Sequence, residues 1–242
     1  MKKISFFIFT FISLGLYLFA YDSNSSFIAN EVTQTQFFST TKSSWKIQTL
    51  NAKDYYELNS LKAFQEENKK VYLLDKPIFK AYSENQPRST ASSSRAIFDL
   101  SNEMLIMTNN VHMTISEMDE KTDVFTKKLN FDFKKRSITS KNEVKLKNSF
   151  IELEGKGFKF NQDKNGQTEL TLNKVYFVQN NEGNNLYGRA DLIIYESSSD
   201  IFTMKGSAQI KDQSSLFNAE EIKFNFKTKN IISSKNSKII KS

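Results

Sequence analysis

The sequence contains no cysteine, one histidine, two prolines and seven glycines in 242 residues. Without cysteine there is no disulfide scaffold, thiol nucleophile, iron–sulfur cluster or cysteine zinc site, and no N-terminal thioether to a lipid. A single histidine, His112, cannot form a histidine-rich metal site. So few glycines and prolines leave no room for a glycine-rich phosphate loop, collagen or a proline-rich linker. Apolar content is low at 38%, and about 41% with glycine included, against roughly 45–50% in an average globular domain. That shortfall favours an elongated or open body over a compact ball. Aromatics are plentiful, with 22 Phe, 9 Tyr and 1 Trp, enough to line a packed interior or a greasy binding surface. The net charge of +7 is moderately basic and far from a nucleic-acid-binding tail.

Met1-Lys2-Lys3 followed by the apolar run 4–20 and the polar stretch from Tyr21 has the layout of a secretory signal peptide or an uncleaved membrane anchor. As a helix the run would span about 26 Å, slightly short of the roughly 30 Å hydrocarbon core. Leu18 and Ala20 make a passable cleavage pair, so removal and retention are both open. Either way the remainder of the chain is expected outside the cytoplasm. Residues 21–44 are rich in Ser and Thr without sustained periodicity and read as a tether.

From Ser44 onward, short apolar alternations recur between polar clusters. Leu105/Met107, Val111/Met113/Ile115, Phe131/Phe133, Val144/Leu146, Ile151/Leu153, Phe158/Phe160 and Leu170/Leu172 all have period two, the mark of half-buried strands. The single stretch with helical spacing, Leu58, Leu61 and Phe64 within 55–65, is equally compatible with an extended chain. No helical patterns alternate with the strands, so a parallel α/β sheet is excluded and the fold class is all-β. The strands also repeat. Phe98 is followed by Leu105, Val111 and Met113, and Phe131 by Ile138, Val144 and Leu146, at the same offsets. Tyr195 with Ile201, Ala208 and Ile210, and Phe224 with Ile231 and Ile239, extend the series. Such a repeat implies stacked β units that complete one another's core.

Candidate chemistry is sparse. His112, between Val111 and Met113, should point outward to solvent. Asn161-x-Asp163-x-Asn165-Gly166 imitates the start of a calcium loop, but Leu172 stands where the bidentate Glu belongs, and the flanking strands make it a hairpin tip. Gly155-Lys156-Gly157 is too short for a phosphate loop and suggests a bulge or close backbone approach. Lys134-Lys135-Arg136 reads as a solvated turn or as a contact for anionic headgroups or sugar phosphates. No paired carboxylates sit in an apolar pocket, and no metal site or cofactor is expected.

The order and spacing of several segments resemble a known family. Trp45 through Ala52 and Tyr55, Pro77-Ile78, Tyr82, Ala96-Ile97-Phe98-Asp99, Lys128-Leu129-Asn130-Phe131-Asp132 and Glu154-Gly155-Lys156-Gly157-Phe158 together resemble the LptC periplasmic bridge proteins of lipopolysaccharide transport. The segment from Leu186-Tyr187-Gly188-Arg189-Ala190-Asp191 through Gly206, Ala208, Ile210 and Asn218-Ala219-Glu220 is similar to the LptA/OstA-type repeat. Asn109-Asn110 and Lys141-Asn142 stand at turns where these families often place glycine before the valine, so only Gly206 keeps that turn glycine. The resemblance implies a twisted, open, OstA-like β-jellyroll over 45–242, LptC-like to 183 and LptA-like from 184. It also implies a non-enzymatic carrier in the periplasm, tethered to the inner membrane by residues 4–20 if they are retained. Its partners would be a glycolipid cargo, an inner-membrane ABC transporter and a second bridge protein that adds a β-strand, with no nucleic acid.

The lipid-lining face would be the alternating inner one. It comprises Leu105, Met107, Val111 and Met113; Phe131, Phe133, Ile138, Val144 and Leu146; Phe158, Phe160, Leu172 and Phe177; and Ile193, Ile210, Phe224 and Phe226. Gly155, Gly157 and Gly206 would be structural, and Ile231 and Ile239 would lie on the partner edge. The same face could instead close on itself as the core of a structural or surface-interaction β-repeat protein. The softness of Phe and Met and the low apolar content favour the groove.

Overall fold

Period-two alternation, hairpin after hairpin, produces an antiparallel meander. The computed structural model describes residues 8–9, 37–48, 54–66, 69–117, 120–149, 151–162, 168–179, 185–196, 201–225, 228 and 230–241, and every regular element among them is a strand. β1 (Ile8–Phe9) pairs with β2 (Phe37–Gln48), and β2 pairs with β3 (Tyr55–Glu66). The chain then runs through β4 (Val71–Asp75), β5 (Ile78–Ser83), β6 (Gln86–Ser92) and β7 (Arg95–Asp99). Long strands follow: β8 (Met104–Glu117), β9 (Glu120–Asp132), β10 (Ser137–Lys147), β11 (Ile151–Gln162), β12 (Thr168–Gln179), β13 (Leu186–Glu196), β14 (Ile201–Lys211) and β15 (Ser215–Asn225). β16 (Asn230–Lys235) and β17 (Lys238–Lys241) finish the meander against β15. Because β3 pairs with both β4 and β5, and β8 with both β6 and β7, each of these duos is one long strand interrupted midway.

The interruptions align into a crease. Positive φ occurs at Lys42, Lys76, Asn109, Asn110, Gly157, Lys174, Gly206, Ser207 and Asn236, near the middle of successive passes. The β8–β9 ladder shifts between Thr108 and Val111, and the β14–β15 ladder between Lys205 and Ala208. Two residues opposite one make a β-bulge, which bends the strand and sharpens its twist. Glycine and asparagine enter the left-handed region most readily, which suits them to these positions. Small polar groups satisfy the interrupted backbone. The buried Ser60 hydroxyl lies within reach of the Lys62 and Asp75 carbonyls, Thr126 Oγ1 donates to the Glu143 carbonyl at 2.7 Å, and Ser94 N donates to the Asn109 carbonyl at 2.9 Å.

Bending at the crease folds the sheet into two layers. β5, β6, β17 and half of each long strand (111–117 and 143–147, for example) form the first. β4, β7, β16 and the other halves (such as 104–108 and 137–140) form the second. Aromatic rings meet across the gap. Trp45 of the first layer contacts Phe98 of the second edge-on at 5.7 Å, and Phe79 lies 4.8 Å from Phe131. One continuous hydrophobic cluster runs from Trp45 to Phe224. Its fully buried members, including Phe98, Leu105, Phe158, Leu172 and Phe224, each contribute roughly 1.5–3 kcal/mol of transfer free energy. This is the expected open jellyroll. The last ladder ends on β16 and β17, and among the described residues neither takes a second neighbour.

Several sequence expectations change in detail. The apolar pairs read as separate short strands are halves of longer, bent ones, as in the 14-residue β8. The stretch 55–65 is strand: Leu58 is buried while Leu61 and Phe64 are exposed, because ladders on both sides hold the backbone extended. β2 begins at Phe37, inside the segment read as a tether over 21–44, so the sheet starts before its first apolar alternation. Trp45 therefore lies well inside a strand and packs between layers. Asn109-Asn110 and Lys141-Asn142 are mid-strand bulges rather than turns. Opposite Tyr195 stands Phe202, seven residues on, whereas Ile201 faces Glu196. The strands flanking the 163–167 hairpin tip pair in register up to Gln162↔Thr168; the tip, and the 4–20 segment apart from Ile8 and Phe9, lie outside the described residues. No helix among the described residues is long and apolar enough to cross a membrane.

Candidate functional site

Between the free strand ends of the two layers lies a cavity of about 320 Å³, at the lower end of the range for ligand pockets. The first layer supplies Tyr56, Phe79, Met113 and Ile115; the second supplies Phe131, Phe133, Ile138 and Phe160. Phe79, Met113 and Phe131 are buried and form the floor. Tyr56 packs on Phe133 at 5.2 Å and on Phe79 at 5.6 Å, so rings from both layers make a continuous apolar wall. Ser83, Ser89, Ser116 and Ser137 also line the space, together with Arg88, Arg136 and Asp132. Burial pushes the Tyr56 hydroxyl above its ordinary pKa, and the nearby Arg136 guanidinium opposes that shift. Asp132 is engaged within its own turn, with its Oδ2 3.2 Å from Lys135 Nζ and its Oδ1 accepting the Lys135 N–H.

Of the residues assigned to a lipid face by alternation, Met113, Phe131, Phe133, Ile138 and Phe160 line this cavity. Leu105, Met107, Val111, Val144, Leu146, Phe158, Leu172, Phe177, Ile193, Ile210 and Phe224 point inward as expected but are packed against one another in the core cluster. Phe226 lies outside the described residues. His112 points outward, stacks on Phe125 with ring centroids 4.6 Å apart, and holds Asp123 at 2.9 Å. Hydrogen bonds from Thr114 and then His112 keep the Asp123 carboxyl below its ordinary pKa. Gly157 and Gly206 have positive φ; Gly155 does not, but a Cβ there would come within 2.7 Å of Leu172 Cγ, the close approach that the Gly155-Lys156-Gly157 pattern suggested. Ile231 and Ile239 are exposed on the terminal strands. Tyr56, Phe79 and Arg88 were not singled out from the sequence. The alternation of Phe79, Ala81 and Ser83 along β5 carries the signal for the second of them, while Arg88 gave none. No group of His, Asp and Glu among the described residues could hold a metal ion.

Residues 8–176 match the profile of the LptC-related lipopolysaccharide-assembly family, more than half of the chain. The chain belongs to that family. Residues 123–230 of this LptC-family chain also match the profile of the LptA/LptD N-terminal lipopolysaccharide transport proteins, so the two profiles overlap across β9 to β12 without a break in the meander. Among solved structures, LptH of Pseudomonas aeruginosa, described as the LptA-homologous periplasmic component of the conserved lipopolysaccharide transport device, aligns at 15% identity. That alignment has a TM-score of 0.45 and covers 49% of this chain and 93% of LptH. No curated protein matches by sequence.

Proposed function

We propose that this LptC-family chain is a periplasmic carrier that passes lipopolysaccharide or a related glycolipid from an inner-membrane ABC exporter toward the outer membrane, working as a conduit rather than as an enzyme. The carrying observation is the apolar cavity between the layers, walled by Phe79, Phe131 and Phe133 and open toward the strand ends. An acyl chain gains roughly 0.8 kcal/mol per buried CH₂, so about ten methylenes would supply about 8 kcal/mol. A single site that tight would retain its cargo. Movement therefore requires a row of similar sites and an energy source elsewhere, consistent with a partner that hydrolyses ATP. The exposed edge of β16 and β17, bearing Ile231 and Ile239, supports strand addition by the next bridge protein. The N-terminal run 4–20 supports tethering to the inner membrane if it is retained.

The complete burial of Leu105, Met107 and Leu172 favours a second reading, a structural β-repeat with a closed core. Photo-crosslinkers at Phe133 and at His112 separate the two. Under the carrier reading Phe133 captures glycolipid in cells and the outward-facing His112 does not. Equal capture at both positions, or none at Phe133, supports the closed core.

A further inference from the structure

Four arginines occur in the sequence, and two of them, Arg88 and Arg136, line the same cavity. They reach it from opposite sides. Arg88 sits on β6 in the first layer, and Arg136 lies in the turn between β9 and β10 in the second. Both side chains are solvent-exposed above a floor of buried Phe79, Phe131 and Met113. Among the described residues neither guanidinium pairs with a carboxylate, while the one carboxylate at the cavity, Asp132, is held by Lys135. Near them Ser83 and Ser89, which alternate onto the same face as Phe79 and Ala91, and the Tyr56 phenol line the cavity, and their hydroxyls are capable of donating to an oxyanion.

An apolar well bordered by two unpaired guanidiniums and a set of hydroxyls is matched by an amphiphile whose head is a phosphate. The acyl portion replaces water against the rings. The guanidiniums make charge-assisted, bidentate hydrogen bonds to phosphate oxygens, with a geometry that lysine cannot reproduce. We infer that Arg88 and Arg136 form a clamp across the slot that selects phosphorylated lipids over neutral ones of the same chain length. The clamp rests on the carrier reading but adds a headgroup requirement to it. Because its jaws belong to different layers, a bound phosphate would also tie the two layers together at their open side. Lys134, in the same turn as Arg136, adds long-range attraction for an anion.

Titration calorimetry of the full chain tests the clamp, with decyl phosphate, decyl glucoside and inorganic phosphate as probes, the two amphiphiles below their micellar concentrations. Decyl phosphate should bind at least about tenfold more tightly than decyl glucoside, and inorganic phosphate should bind more weakly than either. In the Arg88→Gln/Arg136→Gln double variant, decyl phosphate should fall to the affinity of the glucoside, with glucoside binding unchanged. An Arg95→Gln/Arg189→Gln variant, altered away from the cavity, should keep the preference. Equal binding of the two amphiphiles by the wild type, or a preference that survives in the double variant, overturns the clamp and leaves the carrier reading standing. Inorganic phosphate binding as tightly as decyl phosphate also overturns it, since the site would then be for a free anion. If neither amphiphile binds, both the clamp and the carrier reading fail.

Discussion

Gly188 lies directly opposite Phe177 in the β12–β13 ladder, and the Phe177 ring fills the space a side chain at 188 would occupy: a Cβ there would sit 1.9 Å from a ring carbon. Phe177 is buried, so its ring cannot swing into solvent without giving up its contacts. Gly188→Ala should therefore destabilise the protein by roughly 1–3 kcal/mol, read as a lower denaturant midpoint at unchanged slope. Adding Phe177→Leu should recover part of that loss. A double variant no more stable than Gly188→Ala alone would show that the two positions are not coupled.

Two glycines separated by one residue are needed for different reasons. Gly157 has a φ of +76° and meets only the Asn173 amide, at 3.0 Å, whereas Gly155 is excluded from carrying a side chain by Leu172 and by the Asn173 carbonyl oxygen at 2.8 Å. Asparagine tolerates the left-handed region and β-branched residues do not. Gly157→Asn should thus be milder than Gly157→Val by about 1 kcal/mol or more. At 155, alanine, asparagine and valine should all be damaging, since the obstruction begins at Cβ. Thermal melts of the five variants compare the two patterns directly.

The cavity can be filled from its own wall. Ala81 lines it from β5 and is only partly buried, so Ala81→Phe adds a ring to space that packing leaves empty. The melting temperature should be held or slightly raised, while capture of lipid by a crosslinker at Phe133 should fall several-fold. Normal capture in a well-folded Ala81→Phe protein would place the lipid elsewhere on the inner face.

Asp212 turns the β14–β15 hairpin by accepting the backbone N–H groups of Ser214 and Ser215, each at 2.7 Å. Those hydrogen bonds, led by Ser214, hold its carboxyl below the ordinary value of 3.8. A depressed folded-state pKa means the stabilising contribution is complete above about pH 4 and is lost as the pH falls through the folded value. Asp212→Asn should therefore lower the melting temperature at neutral pH, and the gap from wild type should narrow on acidification below the carboxylate range. A gap independent of pH would remove the carboxylate from the explanation.

Much of the architecture is written in local pattern. A β-strand puts alternate side chains on opposite faces, so Leu105/Met107, Val144/Leu146 and Phe158/Phe160 declare a buried face without reference to anything distant. The recurring offset of seven from Phe98 to Leu105 and from Phe131 to Ile138 is the cross-strand pairing of a hairpin, and it appears in the ladders as such. Asn109 and Asn110 show where that local information stops. The pair reads as a turn because its residues favour turns, yet it bends one strand midway, because the ladder to β9 resumes on the far side of it, pairing 104–108 and then 111–117.

The candidate site depended on tertiary structure throughout. Arg88 and Arg136 are far apart in the chain, and nothing in either neighbourhood indicates the other. They flank one cavity because the long strands bend at the same crease and the two halves of the sheet close over it. Sequence alternation determined which side chains face inward, since that depends on backbone geometry alone. Which of them pack shut, as Leu105 and Leu172 do, and which border open space, as Phe133 and Phe160 do, was decided by how closely the two layers approach at each point along the fold.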